Sequence, residues 1–328
     1  MLTYIARRFL LAVLTVIAVS MLSFGIIHLT PGDYVTSYVA QMSAMGTSVS
    51  EAEAQNLRTQ YGLDRPIYVQ YELWMGLIVQ GNFGMSMEWR KPVMDVIGDR
   101  LVLTVVVALS AVLFTWLIAL PIGIYSAVRQ YSIGDYVATF IGFLGLAVPS
   151  FLLALVLMYV GFKYFNMNVG GLFSEKFVDA PWSLARVWDL LGHLPLPAVI
   201  LGLGGTAQVI RIVRANLLDE LRKPYVVTAR AKGLSEFRLI LKYPVRLALN
   251  PFVSTIGYVF PYIVSGSIIV SLVLSLPTVG PVLLRALIAQ DMFLAGTIIL
   301  MLGIMTVIGT FISDLLLMWI DPRIRFEE

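Results

Sequence analysis

Five stretches of this chain carry no charge over a length that can cross a bilayer: residues 9–32, 101–128, 137–162, 247–284 and 292–313. A span needs roughly 20 mainly apolar residues, so all five qualify. A sixth stretch, 194–210, is weaker, interrupted by Pro195, Pro197, Gly202, Gly204 and Gly205. Membrane helices tolerate such residues where neighbours or water satisfy the freed backbone groups, and small residues let helices approach closely. This stretch is therefore expected inside a bundle. The stretch 247–284 is too long for one straight span. Asn250 and Pro251 mark its entry, Pro261 a kink, and the Ser-Leu-Pro-Thr-Val-Gly-Pro sequence at 275–281 a loop beyond its far end. The pattern predicts an all-α polytopic membrane protein with six transmembrane helices.

The polar connections are patterned as well. Within 30–100, Ser50 is placed to cap a helix, Glu51 and Glu53 suit its first turn, and Gly62 ends it. After the Asp64-Arg65-Pro66 turn, residues 67–81 have the spacing of an amphipathic helix, with Tyr71 and Trp74 expected as interface anchors. A second connection, 163–193, carries Trp182 and Trp188. The third, 211–246, holds nine of the chain's 23 Lys and Arg against three acids. Here Pro224 is placed to open a short helix and Gly233 to close it in a left-handed turn. Ser235 is expected to cap a second short helix that Pro244 stops. Two short ordered charged helices make a docking surface for another protein.

Hydrophobic residues form 59% of the chain and charged residues 13%, and the mean hydropathy is +0.85. The apolar and charged fractions both lie outside the range of soluble domains. Arg7 and Arg8 ahead of the apolar run 9–27 resemble the start of a signal peptide. The run is too long and lacks a small-residue cleavage site, so a retained span is expected. With six spans both termini share a side. Fourteen Lys and Arg fall on that side, including Arg129, the 211–246 cluster, Arg323 and Arg325, against nine on the other. Basic residues resist translocation, so both termini are expected in the cytoplasm. The formal charge of +3 gives no reason to expect nucleic acid.

Chemistry is sparse. The chain has no Cys and two His, His28 and His193, each at an expected membrane edge, where structural roles are the rule. A membrane-embedded serine protease would place an exposed Ser opposite a His; Ser265-Gly266-Ser267 is the nearest approach, and it suits helix packing better. No Lys follows a Gly, which excludes a phosphate loop. Uphill transport would need ATP hydrolysed by another chain, or an ion gradient. Asp314 is the one acid clearly inside a span, and a buried helix contact explains it better than a proton site. Arg211 and Arg214, at i, i+3 on the fourth helix, are explained by the helix dipole and by snorkelling to headgroups.

The 211–246 segment also carries a resemblance. TARAKGLSE at 228–236, after KPYVV, resembles the cytoplasmic-loop motif of bacterial ABC importer permeases of the dipeptide/oligopeptide/nickel family. The likeness runs nearly end to end: ARRFL and HLTPGD around the first span, YGLDRPIYVQY, GNFGMSMEWRKPVMDVIGDRL, AVPSFLLAL, HLPLPAVILGLGGTAQVIRIVRANLLDEL, LPTVGPVLLRALIAQD and DPRIR.

That resemblance implies the type I ABC importer permease fold, with residues 1–100 as the first helix plus a periplasmic subdomain and 101–328 as the permease core bearing the 211–246 coupling loop. It implies an inner-membrane, non-catalytic subunit without a cofactor of its own, ATP and Mg being held by partners. Those partners are a second homologous permease, two ATP-binding subunits and a periplasmic solute-binding protein. The short helix at 225–232 becomes the coupling helix, with Tyr225, Thr228, Ala229, Lys232, Gly233, Leu234 and Ser235 toward the ATPase. The motif's usual acidic residue is missing, its position falling on Val227. Ser150, Thr206, Gln208, Tyr258, Ser265 and Ser267 are polar residues suited to a pathway. Di- and oligopeptides head the substrates the resemblance allows, with oligosaccharides, glycosides or a nickel complex as alternatives. A gradient-driven carrier is the rival class; it would have no use for a docking hairpin.

Overall fold

The computed structural model describes residues 2–29, 31–165, 170–250, 252 and 267–320. The described elements are α1 (Leu2–Leu29), α2 (Tyr34–Ala44), α3 (Glu51–Tyr61), α4 (Ile67–Val79), α5 (Val93–Val128), α6 (Ile133–Ala147), α7 (Ser150–Phe165), α8 (Leu184–His193), α9 (Pro195–Leu221), α10 (Pro224–Ala231), α11 (Glu236–Lys242), α12 (Pro244–Ala248), α13 (Val279–Ile288) and α14 (Met292–Ile320). Among the described residues the only extended pairing is an isolated bridge between Met85 and Pro92. The stretches containing α1, α5, α9 and α14 are each long and apolar enough to cross a membrane.

One expected span, 137–162, divides. α6 and α7 meet at a bend of 100°. The break falls at Val148-Pro149, where the proline lacks a donor and its ring drives the preceding residue out of helical geometry. The expected kink at Pro261 and most of the 247–284 span lie outside the described residues.

The chain forms two compact units. The first comprises residues 1–104 and 278–307. Its core packs Phe24 of α1, Trp74 of α4, Ile97 of α5, Val279 of α13 and Leu294 and Ile298 of α14. Trp74 is 1% exposed, stacked 5.8 Å from Phe24, and seated on Gly296, where a Cβ would come within 3.1 Å of its ring. It is a core residue rather than the interface anchor its spacing suggested. Tyr71 donates to or accepts from Ser20 at 2.8 Å. His28 bridges to Gln70 Oε1 at 3.1 Å and stacks on Phe24, a structural role.

The expected caps are present in this unit. Ser50 Oγ accepts from the Glu53 N–H at 3.2 Å, and Gly62 closes α3 at φ +68°. Asp33 caps α2 by accepting from Thr36 N–H at 2.7 Å and pairs with Arg58 Nε at 2.8 Å. Asp291, fully buried, caps α14 through Leu294 N–H. It also accepts from Ser86 Oγ at 2.5 Å and Glu88 N–H at 3.0 Å, tying the 82–92 loop to that helix.

The second unit comprises residues 105–277 and 308–328. α9 is its spine and packs against α6, α7, α8 and α12. Pro195 and Pro197 sit in its first turn, where a missing N–H costs nothing. Gly202 does what a small residue does at a helix crossing. A Cβ on Gly202 would lie 2.6 Å from the Phe114 ring and 2.9 Å from the Ala111 carbonyl oxygen on α5. Thr115 Oγ1 donates to the Gly202 carbonyl at 3.0 Å. On α6, a Cβ on Gly142 would come within 3.3 Å of Ala207. The weak stretch 194–210 is thus an interior helix, as expected.

Candidate functional site

At its far end α9 continues into a helical hairpin. Arg222 terminates α9, Lys223 is extended, and Pro224 opens α10 at its first position. Gly233 then takes φ +78° with nothing within 4 Å of where a Cβ would stand. The requirement for glycine is therefore conformational, not steric. Ser235 occupies the N-cap position of α11 with extended backbone, but its side chain makes no capping bond. Pro244 does not simply stop α11: Tyr243 breaks it, and Pro244 opens the five-residue α12.

Val226 of α10 and Leu239 of α11 are completely buried, anchoring both helices. Beneath them α12 contributes Val245 and Ala248 to a cluster with Leu217 of α9 and Ala127 of α5. Glu220, in the last turn of α9, holds α10 directly. It accepts from Tyr225 Oη at 2.6 Å and pairs with Lys223 Nζ at 2.5 Å. Burial first, and the neighbouring Glu220 carboxylate second, push the Tyr225 hydroxyl well above its ordinary pKa, so it stays a donor. Across the Gly233 turn, Arg230 pairs with Glu236, both exposed.

A second ion pair fixes this end of α9 laterally. Arg214 donates from Nη2 at 3.0 Å and from Nε at 3.2 Å to Asp135 on the first turn of α6. The Asp135 side chain is 4% exposed. Asp135 also accepts from the N–H of Tyr131, which holds φ +65° in the α5–α6 turn. Arg214 is thus a structural ion-pair partner, not a snorkelling residue.

The expected coupling residues divide by exposure. Thr228, Lys232, Gly233 and Ser235 are exposed; Tyr225, Ala229 and Leu234 are half-buried, with Tyr225 committed to Glu220. Sequence reasoning passed over Glu220, whose signal was an acid five residues before Tyr225. It also passed over Phe237, which is 75% exposed. Among the polar residues suited to a pathway, Gln208 is exposed on α9, Ser150 half-buried at the start of α7, and Ser267 buried. Thr206 is buried and donates to the Gly202 carbonyl. Tyr258 and Ser265 lie outside the described residues. Asp314 is half-buried on α14. Among the described residues no group of three or more His, Asp or Glu could hold a metal ion.

Comparison with known proteins agrees with this architecture. Residues 119–326 match the family described as "Binding-protein-dependent transport system inner membrane component". Residues 1–110 match the corresponding N-terminal family. The chain is 34% identical over 327 residues to the oligopeptide transport system permease protein AppB of Bacillus subtilis, covering 99% of this chain and all of the relative. It is 32% identical over 330 residues to the glutathione transport system permease protein GsiC of Escherichia coli, covering both chains in full. It is 29% identical over 344 residues to the dipeptide transport system permease protein DppB of Escherichia coli, again covering both in full. The chain is a multi-pass membrane protein and belongs to the family of inner-membrane components of binding-protein-dependent transport systems.

Proposed function

We propose that this chain forms half of the translocation pathway of an ATP-driven importer of short peptides, and that its α10–α11 hairpin is where the energy enters. The hairpin carries the reading: an ordered helix–Gly–helix element, clasped to the end of α9 by Glu220 and exposing Thr228, Lys232, Gly233 and Ser235. A pore subunit without a phosphate loop needs such an element to receive work from another chain. The peptide solute is supported by the similarity, over almost the whole chain, to an oligopeptide permease of Bacillus and a dipeptide permease of Escherichia.

In this reading the chain lies in the inner membrane with both termini cytoplasmic. Residues 1–100 supply the first helix and a periplasmic subdomain; residues 101–328 supply the permease core. A homologous permease completes the pathway, two ATP-binding subunits dock beneath it, and a periplasmic protein delivers the solute. ATP binding draws the hairpins together, and α9 carries that motion into the bundle. The solute pathway is assigned to Ser150, Gln208 and Ser267 among the described residues, together with Tyr258 and Ser265.

The test is Gly233→Asp in the assembled importer. The membrane pair should still assemble, while uptake is lost and ATP hydrolysis no longer responds to the loaded binding protein. Normal uptake would refute the coupling role. Mass spectrometry of the ligand carried by the cognate binding protein tests the solute; a sugar or a nickel complex there would overturn the peptide assignment.

A further inference from the structure

Between α6 and α9 lies a cleft of about 210 Å³. Thr139 and Gly142 line it from α6, and Ala207, Ile210, Arg211 and Arg214 line it from α9. A smaller cavity of about 70 Å³ adjoins it, sharing Gly142 and Ile210 and reaching Leu203 and Thr206. One end of the cleft is thus cationic, and the rest is small or apolar. Arg211 is exposed. Arg214 commits Nε and Nη2 to Asp135, which leaves Nη1 outside that pair. Two guanidinium groups against one carboxylate leave one positive charge in excess at the mouth of the cleft.

Depth in the bilayer decides what fits this shape. α9 is long and apolar enough to cross a membrane. From Pro195, where α9 begins, the helix rises about 24 Å to Arg211 and about 28 Å to Arg214. The hydrocarbon core is about 30 Å thick, so both guanidinium groups fall at its edge, level with lipid phosphates. Ala207 lies about 10 Å deeper than Arg214, among the acyl chains. α6 enters the bilayer at the same edge, because Asp135 in its first turn holds Arg214. The outer face of α6 is apolar, with Val137, Phe140 and Ile141 exposed.

We propose that the cleft holds one anionic phospholipid, its phosphate against Arg211 and Arg214 and one acyl chain between α6 and α9. Basic pockets between membrane helices select anionic headgroups by the same chemistry. A solute in transit fits less well. Beyond the two arginines the lining offers the Thr139 hydroxyl, while the Thr206 hydroxyl is spent on the Gly202 carbonyl. Bound there, the lipid bridges α6 to α9 beside the Arg214–Asp135 pair. The site requires that α9 span the membrane, and it is independent of the solute and of the hairpin's role.

The test titrates the assembled importer, purified in detergent, with phosphatidylglycerol and with phosphatidylcholine of matched chains, counting bound lipids by native mass spectrometry. Wild type should retain one phosphatidylglycerol in preference to phosphatidylcholine, and glycerol 3-phosphate should not displace it. Arg211→Gln should weaken phosphatidylglycerol binding by about fivefold, the worth of one interfacial cation. Arg222→Gln removes an exposed cation from the same end of α9 but outside the cleft, and should leave binding unchanged. Thr139→Leu fills the cleft without touching a charge and should weaken both lipids. Equal binding of the two lipids by wild type, or equal losses in Arg211→Gln and Arg222→Gln, would reduce the effect to general surface charge and refute the site. Unchanged binding in Thr139→Leu would place the chain elsewhere and refute it too. Displacement by glycerol 3-phosphate would make it a site for a soluble phosphate, and an assembly that retains no lipid would mean that protein covers the cleft; either overturns the proposal.

Discussion

Removing the Tyr225 hydroxyl should loosen α10 from α9 without altering its packing. Tyr225→Phe keeps the ring and deletes the bond to Glu220 Oε2 at 2.6 Å. Glu220 is 14% exposed in its side chain, whereas its other partner, Lys223, is 52% exposed. A hydrogen bond to a charged acceptor contributes about 1.5–3 kcal/mol, and partial exposure here brings the expected loss to about 1–2 kcal/mol. An exposed ion pair contributes about 0–1 kcal/mol, so Lys223→Met should cost less than Tyr225→Phe. The detached population of α10 should therefore rise by about 5- to 30-fold in Tyr225→Phe. Hydrogen exchange of the amides of residues 225–231 in the nanodisc-embedded pair reads this opening directly. Tyr225→Phe and Glu220→Leu remove the same contact, so the double variant should show a coupling of about 1 kcal/mol rather than additivity. The functional readout is the number of ATP molecules hydrolysed per solute imported, which should rise in Tyr225→Phe while assembly is retained. Wild-type protection of α10 in Tyr225→Phe, or a larger effect from Lys223→Met, would refute the clasp.

Other expectations follow from single positions. Gly202→Ala forces a Cβ within 2.9 Å of the Ala111 carbonyl and should lower stability by about 1–3 kcal/mol in thermal unfolding. Gly205→Ala, with 3.7 Å to its nearest neighbour, should be neutral or slightly stabilising, because alanine favours the helix. Arg214→Met leaves the Asp135 carboxylate buried without its cation and should cost about 3–5 kcal/mol, much of it recovered by adding Asp135→Asn. Burial alone would raise the Asp33 pKa, but Arg58 and Thr36 hold the carboxyl below its ordinary value. Its stabilising contribution is therefore complete above about pH 4 and is lost as pH falls through the depressed pKa. Limited proteolysis of the 33–65 segment should accelerate in that acid window, and Asp33→Asn should abolish the pH dependence.

The helices were readable because their ends carry local chemistry. Ser50, Gly62, Pro195, Pro224 and Gly233 act through their own backbone and nearest neighbours, so sequence alone locates them. What was missed depends on partners distant in sequence. Trp74 has the spacing of an amphipathic surface, yet Phe24 and Gly296 cover it from α1 and α14. Arg214 looked like a headgroup ligand until Asp135, 79 residues earlier, was found against it. The α6–α7 bend illustrates a local signal overridden by length: the hydropathy of 137–162 reads as continuous, while Pro149 divides it. At the hairpin, the motif marks a segment but not the side each of its residues faces. Tyr225 turns inward and Phe237 outward, and that is decided by which residue, Val226 or Leu239, finds the core.

The contacts of α9 differ along its length, and this bears on how it could transmit work. Its 27 residues span about 40 Å. Between Gly202 and Ala207 it meets α5 and α6 through glycine, alanine and a threonine hydroxyl, where few side-chain rotamers must change for the helices to shift. From Arg214 to Glu220 it is held by a buried ion pair to α6 and a charged clasp to α10. Breaking the buried pair would strand a carboxylate, at about 3–5 kcal/mol, far more than a small slide over glycine contacts. In the proposed coupling role, a force applied at the hairpin would move the end of α9 and the start of α6 together, with the yielding nearer the small-residue crossing. That order of contacts, charged clasps toward the hairpin and small residues within the bundle, is the one by which the proposed coupling role would convert docking of another chain into a change of helix packing.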